Sequence, residues 1–169
     1  MINYTSLLIA VATPLATLLG IIWGIYQYSK ETTRKKRSET LNTYNILFDE
    51  IYNIREIYYK DTNELLFSSE KIHTDIMWHK KIMILLTHIE SFAMGIEFGI
   101  YDFEIFISLT PKEMVEILNS LKPFVDDERE IKEYDKLFDS FMHLANKTSD
   151  YMQNKINNKS VKKCKKIRV

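Results

Sequence analysis

Between Gly24 and Gly95 the chain contains neither glycine nor proline, a run of 70 residues. Hairpins and meanders need those residues at their turns, so such a stretch excludes a turn-rich β architecture and leaves long helices. The whole sequence of 169 residues holds only four Gly and three Pro, and it is rich in Ile, Leu, Lys, Glu and Tyr. That composition points the same way, and the length suits one domain with an extension rather than two domains.

Charge is segregated along the chain. Residues 1–29 carry no charged side chain, while residues 30–37 hold five bases and one acid. Residues 38–158 hold 12 bases and 22 acids, a net of −10, and residues 159–169 add six bases and no acid. The formal balance of zero is therefore the sum of an acidic body and two short basic segments. An acidic body repels nucleic acid, whose non-specific binding depends on neutralising phosphate with Lys and Arg. Direct nucleic-acid binding is not expected of it.

The uncharged opening is the basis for a membrane assignment. Leu7 to Tyr28 reads LLIAVATPLATLLGIIWGIYQY, 22 residues with only Thr and Gln as polar interruptions. As a helix it rises about 33 Å, enough to span a hydrocarbon core of roughly 30 Å. A cleaved signal peptide would need basic residues before a shorter apolar core. Met1–Ser6 has none, and the bases follow the run. Lys30, Arg34, Lys35, Lys36 and Arg37 form a collar that stays cytoplasmic, which places the N-terminus outside and residues 30–169 in the cytosol of a bacterial inner membrane. Trp23, Tyr26 and Tyr28 suit the inner interface and Tyr4 the outer one.

The apolar run also has a face. Ser6, Ala10, Thr13, Thr17, Gly20 and Gly24 recur at intervals of 4, 3, 4, 3 and 4. Lipid does not drive helices together by hydrophobicity, so small residues act there by letting backbones approach. Ala10, Thr13, Thr17, Gly20 and Gly24 are the candidate pore or oligomer interface, and the 3.5-residue period predicts a left-handed bundle of like helices. Pro14 cannot donate to the Ala10 carbonyl; Thr13 and Thr17 are at hand to satisfy it. The result is either a benign bend or a constriction.

Beyond the collar, Leu41, Tyr44, Phe48, Ile51, Ile54 and Tyr58 form one helical stripe, with no breaker between it and the apolar run. One continuous helix is expected, ending at Asp61–Asn63 or Ser68–Ser69. A second helix runs through Ile76, Met83, Leu86, Ile89, Phe92, Ala93 and Ile96 to Gly99. Asp102 caps a short helix ending at Leu109. Thr110-Pro111-Lys112-Glu113 reads as N-cap, first helical position and capping box for a helix to Leu121. Pro123 interrupts, and a last helix runs through Ile131, Tyr134, Leu137, Phe138, Phe141 and Leu144. The expected fold is all-α: an N-terminal transmembrane helix (1–29), a basic juxtamembrane collar (30–37), a cytoplasmic helical bundle of four or five helices (38–148) and a basic tail (149–169).

Chemistry is sparse. There is no glycine-rich phosphate loop, nucleophile elbow or metal-ligand spacing, so no catalytic residue, metal or cofactor is assigned. His73, His79, His88 and His143 are dispersed, and none pairs with another at helical spacing; His88 reads as a core or rim residue. Glu90 and Glu97 share a helix face but lack the His partners of a di-iron bundle. Asp126, Asp127, Glu128 and Glu130 read as the solvated start of a helix. No Arg has a His four to six residues later, which argues against the ribonucleases common among helical defence domains. Lys159, Lys162, Lys163, Lys165, Lys166 and Arg168 leave three readings open: a solvated end, an inner-leaflet contact or an RNA contact. The lone Cys164 in that tail rules out an intramolecular disulfide.

Ile89-Glu90-Ser91-Phe92-Ala93-Met94-Gly95-Ile96-Glu97-Phe98-Gly99-Ile100-Tyr101-Asp102, then Leu121-Lys122-Pro123-Phe124-Val125 and Arg129, resemble small bacterial proteins of an uncharacterised helical domain family. The likeness covers residues 80–147, and its turn glycines, capping Asp and packing Pro are structural. The whole architecture is similar to the small accessory membrane proteins of type VI-B CRISPR loci. That resemblance implies a ring-shaped homo-oligomeric pore that depolarises the membrane in antiphage defence beside an RNA-guided CRISPR effector. The absent Arg–His pair departs from the nuclease-like domain proposed for that group. The expectation is therefore a self-assembling membrane effector whose partners are the lipid bilayer and its own copies. The alternative is a non-conducting anchored scaffold for a cytosolic partner.

Overall fold

The computed structural model describes the backbone of residues 4–166 and the side chains of residues 14–157. Among the described residues it is all-α, with seven helices and no strand. Two compact units divide the chain, Met1–Ser38 and Glu39–Val169. Helix α1 (Tyr4–Thr62) passes through both, as the absence of any breaker after Gly24 predicts, and it carries Pro14 within it.

In the second unit, the buried stripe of α1 is Thr40, Tyr44, Leu47, Ile51 and Tyr58, with Phe48 and Ile54 packed alongside. It agrees with the expected one from Tyr44 to Tyr58 and differs at its start, where Leu41 is exposed and Thr40 is wholly buried. The reason is polar, because the Asp102 N–H donates to Thr40 Oγ1 at 2.8 Å and needs that hydroxyl inside. The helix stops where expected, at Asn63, which takes a left-handed φ of 59°. Such a conformation is tolerated by Asn better than by most residues.

Helix α2 (Ser69–Thr74) is one short piece. Asp75 then breaks the chain and caps α3 (Ile76–Glu97), its side chain accepting from the Met77 and Trp78 N–H groups. Helix α3 closes at Gly99, with φ of 72°, and the Ile100 N–H turns back to the Gly95 carbonyl at 2.8 Å. Asp102 caps α4 (Phe103–Leu109) as predicted, accepting from the Glu104 and Ile105 N–H groups.

The Thr110 start signal is corrected. Thr110 ends α4, and its hydroxyl donates to the Phe106 carbonyl at 2.8 Å. The next helix, α5 (Lys112–Ser120), begins after Pro111 with no side-chain cap. The helix before Pro123 ends at Ser120, close to the expected Leu121, and Pro123 sits in the first turn of the next, α6 (Lys122–Lys132), where its missing N–H costs nothing. The acidic run 126–130 thus lies beyond the first turn of α6 rather than at its start, while Asp126, Asp127 and Glu130 are exposed as expected. Glu128 within it is buried.

The expected last helix is two. Glu133 and Phe138 both take positive φ, and the loop between them is tied by Arg129, which donates to the Leu137 carbonyl at 2.8 Å. Helix α7 (Asp139–Lys166) follows. The body therefore has six helices after α1 rather than four or five in all, and the backbone of the tail is helical to Lys166. The tail side chains from 158 onward, including its six bases and Cys164, lie outside the described residues.

One core unites the second unit, built from α1, α3, α5, α6 and α7 around Ile82, Leu85, Leu86, Ile89, Leu121, Phe124 and Phe141. Glu90 of α3 reaches the start of α7, accepting from the Ser140 N–H at 3.2 Å and the Phe141 N–H at 2.6 Å. Glu97, seven residues on, accepts from the Ser140 hydroxyl at 2.8 Å. The shared face expected of these two glutamates exists: Glu90 caps α7, and Glu97 ties down the Ser140 side chain. Replacing Glu90 with Ala should cost about 1–2 kcal/mol, the range for losing a helix cap. Urea unfolding of the variant should show a lower midpoint with an unchanged slope.

Candidate functional site

Two features stand out, one in each unit. In the first unit, Leu15, Leu18, Leu19, Ile21, Ile22, Trp23, Ile25, Tyr26 and Tyr28 are each between 54% and 75% exposed. Thr17, Gly20 and Gly24 lie on the same stretch. A side chain added at Gly20 or Gly24 would meet nothing within 4 Å, so no contact within one chain accounts for glycine there. Ala10 and Thr13 lie outside the described side chains. Lys30, Arg34, Lys35 and Arg37 are exposed and Lys36 is partly so. Lys35 pairs with Glu31 at 3.3 Å in an exposed i,i+4 contact worth little energetically.

Among the described residues, no helix is long and apolar enough to cross a membrane. The described part of the apolar run is 14–28. Its first seven residues, 7–13, have no described side chains.

The second feature is histidine-based, and it corrects the expectation that the histidines are dispersed. His73, near the end of α2, and His79, in the first turn of α3, converge on Glu128 of α6. Nε2 of His79 lies 2.8 Å and Nδ1 of His73 lies 3.6 Å from Glu128 Oε1. One ligand atom from each of the three lies within 4.8 Å of the others. Both imidazoles rest on the Phe124 ring, one turn before Glu128, at centroid distances of 4.8 and 5.5 Å.

Three neighbours complete the arrangement. Lys132 Nζ lies 2.7 Å from Glu128 Oε2, and Lys132 is itself half-exposed. Asp127 Oδ2 lies 3.7 Å from His73 Nε2, and Ser69 donates its hydroxyl to the same carboxylate oxygen. Burial pushes the Glu128 carboxyl up, but hydrogen bonds from Lys132 and His79 and their charges outweigh it and leave it below its usual range.

The other histidines sit at the rim. His88 Nδ1 is 2.9 Å from Glu50 Oε1 and half-exposed, and His143 Nδ1 is 3.1 Å from Glu97 Oε1. Each is joined to a carboxylate from a different helix.

No curated protein and no solved structure matches the chain. A family described as a domain of unknown function, DUF4760, matches residues 14–148. The match starts at Pro14, inside the apolar run, and stops at Thr148, the last fully buried residue of α7 among those described. It takes in both the exposed apolar stretch and the histidine cluster, and it spans most of the sequence. The chain belongs to this DUF4760 family.

Proposed function

We propose that the chain is a membrane-embedded effector whose N-terminal helix lies across the bilayer and packs against copies of itself. The observation that carries this reading is the sleeve of nine large apolar side chains from Leu15 to Tyr28, all more than half exposed. Soluble monomers rarely show contiguous apolar patches of that extent. Burying one such side chain is worth about 1.5–3 kcal/mol, so the sleeve has a strong drive to leave water. Lipid on one side and sister helices on the other would cover it, with Thr17, Gly20 and Gly24 at the contact and Ala10 and Thr13 extending the stripe outward. The five bases after it favour a cytoplasmic body.

In its sharper form the assembly is a pore that depolarises the membrane in antiphage defence. That form draws on the small-residue stripe for self-association and on the CRISPR accessory-protein resemblance for its setting. The body then regulates the assembly and is not an enzyme.

Mass photometry of the full chain in mild detergent should find at least four copies. Liposomes carrying it should pass ions, and Gly20→Leu with Gly24→Leu should reduce both assembly and flux. A monomer with no flux would overturn the proposal. If flux is absent but exchange of residues 7–28 for an unrelated span preserves biological activity, the chain is an anchored scaffold for a cytosolic partner instead.

A further inference from the structure

We propose that His73, His79 and Glu128 bind a divalent transition-metal ion, Zn²⁺ being the first expected, which fastens α2 to α3 and α6. Two imidazole nitrogens with one carboxylate oxygen form a donor set suited to zinc and its neighbours in the first transition row. Calcium and magnesium favour all-oxygen sites, and this one offers mostly nitrogen.

The geometry fits such an ion. Zinc sits about 2.0–2.2 Å from His and carboxylate donors, so tetrahedral ligands lie roughly 3.4 Å apart. The nitrogens here stand 2.8 and 3.6 Å from the shared carboxylate oxygen, so an ion enters with movements of about an ångström. Lys132 holds the other oxygen of Glu128, which leaves Oε1 aimed at both histidines. Both rings pack against Phe124, His73 tilted over it and His79 edge-to-face with it, which reduces the side-chain freedom left to lose on binding.

An independent observation concerns the far side of His73. Its Nε2 is buried without a hydrogen-bond partner among the described residues, yet it faces Asp127 Oδ2 at 3.7 Å. With Nδ1 on a metal, Nε2 carries the proton and donates it toward Asp127. That is the carboxylate–histidine–metal relay in which an outer carboxylate fixes the tautomer of the ligand. Ser69 steadies Asp127 in turn. Both histidines are partly exposed, at 25% and 34% of their side-chain surface, so an ion reaches the site from solvent. The ion would hold the C-terminal end of the six-residue α2, where His73 lies, against α3 and α6.

The test uses the full chain in detergent, stripped with chelator, loaded with ZnCl₂ and dialysed, with metal measured by elemental analysis and affinity by competition with a chromophoric chelator. The expected result is one zinc per chain. His73→Ala and His79→Ala should each weaken binding at least tenfold, and Asp127→Asn should weaken it about 10–100-fold at unchanged stoichiometry. Cys164→Ser should bind as the natural sequence does. Circular dichroism of each variant verifies that it is folded. A natural-sequence protein that leaves dialysis without zinc overturns the proposal. So does one whose zinc survives in the His73→Ala, His79→Ala double variant.

Discussion

Replacing Tyr58 with Ala is expected to destabilise the second unit by about 3–5 kcal/mol, the range for removing a large aromatic from a packed interior. Tyr58 is fully buried. It lies against Trp78 edge-on at 4.9 Å and against Phe67 at 5.0 Å, so one ring joins the end of α1, the following loop and α3. Its hydroxyl also accepts from the Ser68 N–H at 3.1 Å, positioning the residue before α2. For a domain of this size such a loss lowers Tm by roughly 10–20 °C. Thermal unfolding followed by near-ultraviolet circular dichroism measures it, and a melting point within about 3 °C of the natural protein would refute this role.

Tyr58→Phe separates ring from hydroxyl. It keeps the packing and strands the Ser68 N–H, so the loss should be about 1–2 kcal/mol. Burial raises the Tyr58 phenol above its ordinary 10.0, and Glu64 adds to that while the Ser68 N–H and Lys71 oppose it. The same direction holds for Tyr44 and Tyr52, burial again being the first cause. A raised folded-state value means the neutral phenol is favoured in the native protein. The corresponding stability is fully present below pH 10 and is lost as pH climbs through the raised value. An alkaline unfolding limb is therefore expected, shallower in Tyr58→Phe.

The second large effect is at Gly95. A Cβ there would overlap the Tyr101 ring, and that ring is not free to leave. It stacks on Phe92 at 5.1 Å with the planes 23° apart, and its hydroxyl lies 3.5 Å from Thr43 Oγ1. Gly95→Val should cost about 2–3 kcal/mol through overpacking, despite removing a glycine from a helix. The cause is checked by a double-mutant cycle: in a Tyr101→Ala background the same substitution should cost at least about 1 kcal/mol less. Equal costs in both backgrounds would place the strain elsewhere.

What could be read from sequence was whatever depends on neighbours along the chain. The stop at Asn63, the turn at Gly99 and the Asp102 cap are local, and all three are where the spacing puts them. Thr110-Pro111 misleads because two local solutions compete for one hydroxyl, and bonding back to Phe106 wins over capping forward. The stripe on α1 departs from its reading at its start, where Thr40 rather than Leu41 is buried, because that hydroxyl answers a demand made 62 residues away by the Asp102 N–H.

The histidine cluster was illegible for a related reason. On an unbroken helix, residues six apart point about 120° away from each other. His73 and His79 meet only because Asp75 ends one helix and starts the next, with an extended φ of −112° and ψ of 108°. The signal available was Asp75 itself, an N-cap type standing between the two histidines. Glu128 carried no signal, since its burial is set by Phe124 and Val125 packing inward four and three residues earlier.

The glutamate of α3 that receives the first amides of α7 makes the later helix dependent on the earlier one. A peptide of residues 139–166 alone would keep Asp139 in its first turn but lose the Glu90 carboxylate that meets the Ser140 and Phe141 amides. Where α7 begins is thus fixed partly by α3, through one acid distant in sequence.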